Sequence, residues 1–73
     1  MASINEQDFI AFLEETLMAE EPLHMDEKIS EDIFDSTGRL LTITAFDKQF
    51  GIKLTIDAIS KLTTPRDLYE LLG

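Results

Sequence analysis

The sequence has no cysteine and few basic residues, and both deficits narrow the classes of protein that it can encode. Without cysteine, a disulfide framework, a thiolate metal site and a catalytic thiol are all excluded. Six Lys and Arg residues stand against fifteen Asp and Glu residues, so the formal net charge is −9. Such a surface repels the phosphates of nucleic acids and of anionic membranes. The composition therefore favours partners with basic surfaces and argues against nucleic acid.

Long apolar runs are also missing. The longest, Phe9 to Leu13, is far shorter than a membrane span, and no basic or signal-type stretch follows Met1. We therefore expect a cytoplasmic protein without membrane insertion. The 73 residues allow a single domain, residues 1–73, near the lower size limit for a core that holds by packing alone. We expect a monomer, and the start at Met1 favours a free-standing protein.

The charge is unevenly distributed along the chain. Residues 1–35 carry eleven acids and one base, a net of −10, whereas residues 36–73 carry four acids and five bases, a net of +1. The acids of the first half either keep a small domain soluble and monomeric or steer a basic partner to one face. Composition leaves both interpretations open.

Two longer helices are predicted in the first two thirds of the chain. Ser3-Ile4-Asn5-Glu6 has the form of a capping box, and it predicts a first helix from about Ser3 to Ala19 that ends before Pro22. A second helix is predicted to begin at Asp35 or Ser36 and to end at the cap glycine Gly51. The apolar residues predicted to form its buried stripe are Leu40, Ile43, Phe46 and Phe50.

The remaining segments complete an all-α fold. Residues 22–35 are predicted to form a long loop, pinned to the core by Leu23, Met25, Ile29, Ile33 and Phe34. Residues 52–56 alternate in polarity but have no partner strand, so they are predicted to be an extended linker into a short helix near 57–61. Thr64-Pro65-Arg66-Asp67 then begins a last helix. The prediction is a small four-helix bundle of three longer helices and one short helix, with a long loop between helices one and two.

Little in the sequence suggests catalysis or metal binding. The one histidine, His24, lies in the acidic loop with no companion nucleophile, and we interpret it as a solvated residue. Adjacent acids such as Glu14-Glu15 diverge on a helix rather than face one another. A calcium loop starting at Asp26 fails, because Lys28 falls at a ligand position and Glu31 replaces the turn glycine. We therefore predict a protein that is not an enzyme and has no metal site.

One dipeptide can carry chemistry. Asp35-Ser36 stands where the acidic loop meets the second helix, and Asp and Ser are ordinary helix caps. The same location gives a functional alternative. A serine hydroxyl at an exposed helix N-terminus can bear a phosphodiester, since the helix dipole and the free N–H groups favour negative charge there.

Taken together, these features resemble the acyl carrier proteins from about Phe9 to Leu72. The resemblance rests on the acidic first helix, the long loop, Asp35-Ser36 and the run Phe46-Asp47-Lys48-Gln49-Phe50-Gly51-Ile52. Lys61-Leu62-Thr63-Thr64 and the final segment Asp67-Leu68-Tyr69-Glu70-Leu71-Leu72 continue it. Asp-Ser alone is a common dipeptide, so the order and spacing of all these segments carry the resemblance.

The resemblance implies a covalent cofactor. A phosphopantetheinyl transferase would attach 4'-phosphopantetheine from coenzyme A to Ser36, with recognition by the flanking residues Asp35, Thr37, Gly38 and Arg39. Acyl groups would then travel as thioesters to acyl-transferring and chain-modifying enzymes with basic docking patches, in fatty acid, lipid or polyketide-type biosynthesis. The positions implied to line an acyl cavity are Ile43, Phe46, Ile56, Leu62 and Leu68, although ordinary core packing also explains apolar residues there.

The sequence also departs from the family pattern. Thr37-Gly38 follows the serine where leucine is usual, and Gly38 is expected to loosen the first helical turn. The second helix offers Arg39 and Lys48 where the family is typically rich in acids, which favours a specialised carrier with dedicated enzymes. Three alternatives stay open: a small acidic interaction module that is never modified, a peptidyl or D-alanyl carrier within the family, and an acidic mimic of nucleic acid.

Overall fold

The computed structural model describes residues 4–72, and within them the fold is helical without a strand. The helices are α1 (Glu6–Leu17), α2 (Ser36–Phe50), α3 (Ile56–Ser60) and α4 (Pro65–Tyr69). The last of these continues directly into a 3₁₀ turn, Glu70–Leu72. Residues 4–72 thus contain three longer helical stretches and one short one, with a long loop between α1 and α2. The all-α prediction is confirmed.

The boundaries of α1 differ from those predicted. Asn5 is its N-cap, with a side-chain oxygen that accepts the N–H of Asp8 at 2.7 Å. The predicted capping residue, Ser3, lies outside the described residues. The helix ends at Leu17 because Met18 adopts the left-handed conformation, with φ of 53°. The predicted end at Ala19 was therefore wrong, and the helix stops well before Pro22.

The core forms where α1 meets α2 and α4. Phe9 is fully buried, and its ring meets the edges of Phe46 at 6.0 Å and Tyr69 at 5.1 Å between centroids. Such edge-to-face contacts add to the free energy gained by burying the rings. The buried apolar residues are Phe9, Leu13, Leu17, Ile29, Phe34, Phe46, Ile59, Leu68 and Leu72.

The buried face of α2 differs from the predicted one at its N-terminal end. Leu40 is 54% exposed, and the buried residues of this helix are Gly38, Thr42 and Phe46. Thr42 can be buried because its hydroxyl donates a hydrogen bond of 2.9 Å to the carbonyl of Gly38. The predicted stripe is therefore confirmed for Phe46 and for the partly buried Ile43 and Phe50, and it was wrong for Leu40, in whose place the small Gly38 and the hydrogen-bonded Thr42 are buried.

The long loop is pinned to the core as predicted. Ile29 and Phe34 are buried, and the other three predicted anchors pack against the core while partly exposed. Two main-chain hydrogen bonds tie the loop to the C-terminal part of the chain. The N–H of Ile29 donates to the Thr63 carbonyl at 2.8 Å, and the N–H of Arg66 donates to the Met25 carbonyl at 2.8 Å.

The last helix begins as its sequence indicates. Thr64 and Asp67 form a capping box, and Pro65 occupies the first helical position. From this helix, the Tyr69 hydroxyl donates to the Ile4 carbonyl at 2.7 Å, so α4 is bound to the start of α1. The short α3 and the extended residues before it also agree with the prediction.

Two surface properties of residues 4–72 bear on function. No helix in this range is both long enough and apolar enough to span a membrane. Nor does this range bring three or more His, Asp or Glu side chains together in a way that could hold a metal ion. His24 is exposed in the long loop, as expected.

Candidate functional site: the N-terminus of helix α2

The first turn of α2 is capped by Asp35. Its backbone is extended, with φ of −86°, and its carboxylate accepts the N–H of Gly38 at 2.9 Å. The Asp35 carbonyl accepts the first intrahelical hydrogen bond, from the N–H of Arg39 at 2.8 Å. Ser36 is the first helical residue and is exposed. Its hydroxyl therefore stands at the positive end of the helix dipole and is open to solvent.

The chain just before Asp35 is held by a tight turn. The N–H of Phe34 donates to the Ser30 carbonyl at 2.9 Å, and the Ser30 hydroxyl accepts the N–H of Asp32 at 3.2 Å. Phe34 is buried, with only 4% of its surface exposed, and it anchors the turn in the core. The position of Ser36 is consequently fixed from both sides, by the anchored turn and by the helix.

Gly38 allows the loop to lie directly against α2. A Cβ at this position would overlap the carbonyl oxygen of Ile33 and would lie 3.3 Å from Cδ2 of Leu17. The N–H and the carbonyl of Gly38 are both hydrogen-bonded, so the expected loosening of the first turn does not occur. Because Gly38 is buried, a partner can contact Asp35, Ser36 and Thr37 but not the glycine itself.

Arg39 completes the surroundings of the serine. Its guanidinium lies over the ring of Phe34, 5.3 Å from the ring centroid. The Nε atom is buried, and among the described residues it has no hydrogen-bond partner. A buried donor without an acceptor costs about 1–3 kcal/mol, and more when the group is charged.

The exposed surface of α2 near Ser36 is mostly uncharged. Thr37, Leu40 and Leu41 are exposed there, and between Asp35 and Asp47 this helix has no acid. The exposed acids close to the serine lie before it, at Glu31, Asp32 and Asp35. A basic partner would therefore find negative charge on the loop rather than along the helix.

The five residues predicted to line an acyl cavity occupy different environments. Phe46 and Leu68 are fully buried, whereas Ile43 and Leu62 are partly buried against the core. Ile56, the first residue of α3, is 52% exposed. A surface groove of about 440 Å³ runs along residues 18–33 and is lined by none of the five. Four of the five residues therefore pack in or against the core. A role of the five in lining an acyl cavity stays a prediction.

Several long-range contacts elsewhere in the fold had no signal in the sequence. Arg66 binds the carboxylate of Asp26 through Nε at 2.5 Å and that of Glu6 through Nη1 at 3.2 Å. Glu14, one of the adjacent acids of α1, accepts the N–H of Leu23 at 2.8 Å. The partners of Arg66 lie 40 and 60 positions away, so no local pattern points to them.

Comparison with known proteins gives one informative relative. The sequence matches no protein-family model, and no solved structure matches it. It is 29% identical, over an alignment of 76 residues, to the oxytetracycline polyketide synthase acyl carrier protein of Streptomyces rimosus. The alignment covers 97% of this chain and 80% of the relative.

The chain is similar to an acyl carrier protein over nearly its whole length. The resemblance predicted from the order of its motifs is thereby confirmed, since the alignment spans nearly the whole chain rather than one motif.

Proposed function

We propose that this chain is an acyl carrier protein that bears acyl groups as thioesters on a 4'-phosphopantetheine arm attached to Ser36. The observation that carries the proposal is the position of Ser36, exposed at the first residue of α2 and fixed by the Asp35 cap. The similarity of nearly the whole chain to a polyketide synthase carrier supports it.

The attachment step would use the Ser36 hydroxyl as a nucleophile. Its oxygen forms a bond to the phosphorus that carries the pantetheine part of coenzyme A, the bond from that phosphorus to the adenosine bisphosphate breaks, and the hydroxyl proton passes to a base of the transferase. No buried base adjoins Ser36, and none is required, because the transferase supplies it. The exposed hydroxyl makes this attack possible.

The residues at the site fit a phosphodiester. The N-terminus of a 15-residue helix favours a negative group on Ser36, and the exposed position of this serine leaves room for it. Once attached, the arm supplies a thiol, which the cysteine-free chain lacks. The chain itself positions that thiol and raises the local concentration of the acyl group at partner active sites.

We propose that the partners are a phosphopantetheinyl transferase and the acyl-transferring and chain-modifying enzymes of a polyketide-type pathway. The similarity to a polyketide synthase carrier favours polyketide over general fatty acid synthesis. The exposed face of α2, with Leu40 and Leu41 where acids might stand, favours partners that combine an apolar docking surface with a basic rim facing Glu31 and Asp32.

Thiol labelling tests the carrier proposal directly. The protein is incubated with coenzyme A and a broad-specificity phosphopantetheinyl transferase, and then with a maleimide dye. Because the chain has no cysteine, any covalent dye label after removal of free coenzyme A reports the attached arm. We expect one phosphopantetheine per chain by intact mass and one dye per chain on the wild type.

Two variants assign the site. Ser36→Ala should take up neither phosphopantetheine nor dye, whereas Ser60→Ala, which changes an exposed serine at the end of α3, should be loaded like the wild type. Absence of loading on folded wild-type protein, with this transferase and with the transferase of the same organism, would contradict the proposal. It would favour the unmodified interaction module, for which Ser36→Ala leaves partner binding intact.

A further inference from the structure

The surface groove along residues 18–33, here the loop groove, lies between the end of α1 and the long loop. Its apolar lining residues are Met18, Pro22, Leu23 and Ile33. One wall is bonded to α1, because the N–H of Leu23 donates to the Glu14 carboxylate at 2.8 Å. The loop groove, of about 440 Å³, therefore offers apolar surface in a place that the fold holds open.

The rim of the loop groove is negative. Its exposed acids are Glu20, Glu21, Glu27 and Asp32, against the single lysine Lys28. Within residues 4–72, none of these four carboxylates takes part in a salt bridge. Their charges are therefore available to a partner. A segment that carries Lys or Arg beside an apolar side chain matches both the rim and the lining.

Met18 adds apolar surface where α1 ends and the loop groove begins. It is 74% exposed, and its backbone adopts the left-handed conformation, with φ of 53°. The unbranched thioether side chain of methionine adapts readily to the shape of a partner. A partner seated in the groove can therefore cover this side chain while its cations face the rim.

The loop groove also lies close to the serine. Ile33, which lines it, precedes Ser36 by three residues, so their two Cα atoms are no more than about 11 Å apart. The chain between them is fixed, because Phe34 is buried and Asp35 caps α2. Enzymes that act on a thioester work at the far end of the arm. This short distance therefore favours the enzyme that must reach the serine oxygen itself.

We propose that the loop groove docks a cationic segment of the phosphopantetheinyl transferase, in which Lys or Arg residues flank an apolar side chain. The inference rests on the proposed function and names a recognition surface beyond the residues that flank Ser36. The acids raise the encounter rate and fix the orientation of the enzyme. The exposed face of α2 cannot replace them, since it has no acid between Asp35 and Asp47.

Nuclear magnetic resonance of the unmodified wild-type protein tests the docking surface without any substitution. The labelled carrier is titrated with the transferase of the same organism in the absence of coenzyme A, so that no loading occurs. We expect the main-chain amide signals of residues 18–33 to shift or broaden. Changes confined to residues 36–50 would overturn the inference.

The same signals identify other occupants of the loop groove. They should stay in place when the concentration of the carrier alone is raised, and when the arm is attached to Ser36. A change with concentration would assign the groove to a second copy of the chain, and a change on loading would assign it to the arm. Either result would overturn the inference.

Loading kinetics test the charges of the rim. Glu27→Gln combined with Asp32→Asn removes two acids from the rim, and Asp57→Asn combined with Glu70→Gln removes two exposed acids outside the groove. We expect the KM for the carrier to rise about tenfold in the rim variant, with kcat unchanged, and about twofold or less in the control. Equal changes in the two variants would show that net charge alone governs recognition, and would overturn the docking site.

Met18→Asn tests the apolar contact. Asparagine tolerates the left-handed conformation, so the end of α1 is retained. We expect a higher KM and an unchanged kcat, and an unchanged KM would contradict the role of Met18. Intact mass keeps the two proposals apart. If the wild type is never loaded, the proposed function has failed, whereas loading without any change at residues 18–33 in the titration overturns only this inference.

Discussion

At the scale of single residues, the absence of a side chain at Gly38 determines where the candidate site around Ser36 lies. The carbonyl of Ile33 and the side chain of Leu17 fill the space that a Cβ would need. The turn that contains Phe34 and Asp35 can therefore approach the helix closely. This close approach sets the position of Ser36. A glycine in a helix costs stability relative to alanine, so its presence here needs this steric reason.

The expected effect of Gly38→Ala is opposite to what helix propensity predicts. Propensity alone would stabilise the variant by about 1 kcal/mol. We expect instead a loss of about 3 kcal/mol in the free energy of unfolding, because the added methyl group overlaps main-chain atoms that cannot move without displacing the loop. Urea denaturation measures the difference.

Gly51→Ala is the matched control for this substitution. Gly51 caps α2 with φ of 67°, and a Cβ there meets nothing within 4 Å. Its substitution should cost only the strain of a left-handed alanine, about 1 kcal/mol. Equal losses in the two variants would show that conformational strain, rather than overlap with the Ile33 carbonyl, causes the lower stability of Gly38→Ala.

Residue-level interpretation of the sequence predicted the start of α2 at Ser36, because Asp and Ser are recognisable caps. It missed the packing at the N-terminal end of this helix, because Gly38 and Thr42 look like poor helix formers and Leu40 looks like a core residue. Whether a threonine can be buried depends on its hydrogen bond to Gly38, and a hydrophobicity pattern does not contain that information.

At the scale of elements, Arg66 connects three segments of the chain. From α4 it binds Asp26 in the long loop and Glu6 in α1, and its N–H binds the Met25 carbonyl. The hydrogen bond to Arg66 holds the pKa of Asp26 below its ordinary value of 3.8. The ion pair thus stabilises the folded state above that pH, and the contribution is lost as the pH falls through the lowered pKa.

Arg66→Gln should therefore loosen the long loop. We expect a lower melting temperature at neutral pH and faster hydrogen exchange of the Ile29 amide, whose acceptor Thr63 lies beside α4. Lys53→Gln removes the same charge from an exposed pair with Asp47 and should leave Ile29 exchange unchanged. If both variants behave alike, overall charge rather than this connection is responsible.

The capping box of α4 gives a second pH-dependent element. The main-chain N–H groups of Thr63 and Thr64 donate to the Asp67 carboxylate and lower the pKa of that carboxyl. Its stabilisation is present above pH 3.8, the ordinary value, and disappears as the pH falls through the lowered folded-state pKa. Protonation removes the acceptor charge on which the cap depends.

Asp67→Asn should lower stability at pH 7 by about 1 kcal/mol, the typical value of a helix cap, and by less below pH 3. The stability of the variant should accordingly change less with pH between these limits. Urea unfolding at a series of pH values measures this. Asp57→Asn, an exposed first-turn acid of α3, is the control and should retain the wild-type slope. A slope unchanged by Asp67→Asn would contradict the assignment.

At the scale of the whole molecule, self-repulsion sets the response to salt. The net charge of −9 is concentrated in residues 1–35, where most acids are exposed. Salt screens this repulsion over a distance that shrinks from about 10 Å at 0.1 M to about 3 Å at 1 M. It also weakens the Arg66 ion pairs, but these are few against the excess of acids.

We therefore expect the melting temperature to rise with added sodium chloride or magnesium. The double substitution Glu20→Gln and Glu21→Gln, in the exposed start of the loop, should raise the melting temperature at low salt and reduce the further increase. A melting temperature that stays constant with salt would show that repulsion among these acids is negligible in the folded protein.

The fold as a whole was more predictable than the long-range hydrogen bonds and ion pairs within it. Helix order, the long loop and its anchors follow from apolar spacing and caps within short windows. The contacts of Arg66 and the hydrogen bond between Tyr69 and Ile4 join residues up to 65 positions apart. They exist only once the core has brought α1 and α4 together, so they are consequences of the fold that local sequence does not encode.

The hydrogen bond between Tyr69 and Ile4 has a mechanical consequence. Together with the pair between Arg66 and Glu6, it joins the beginning and the end of the described range, residues 4–72. A force applied through both ends would act first on these two contacts, peeling α4 from α1. Ser36, at the start of α2, is bonded to neither end. The proposed attachment site therefore lies outside the two contacts on which such a force acts first.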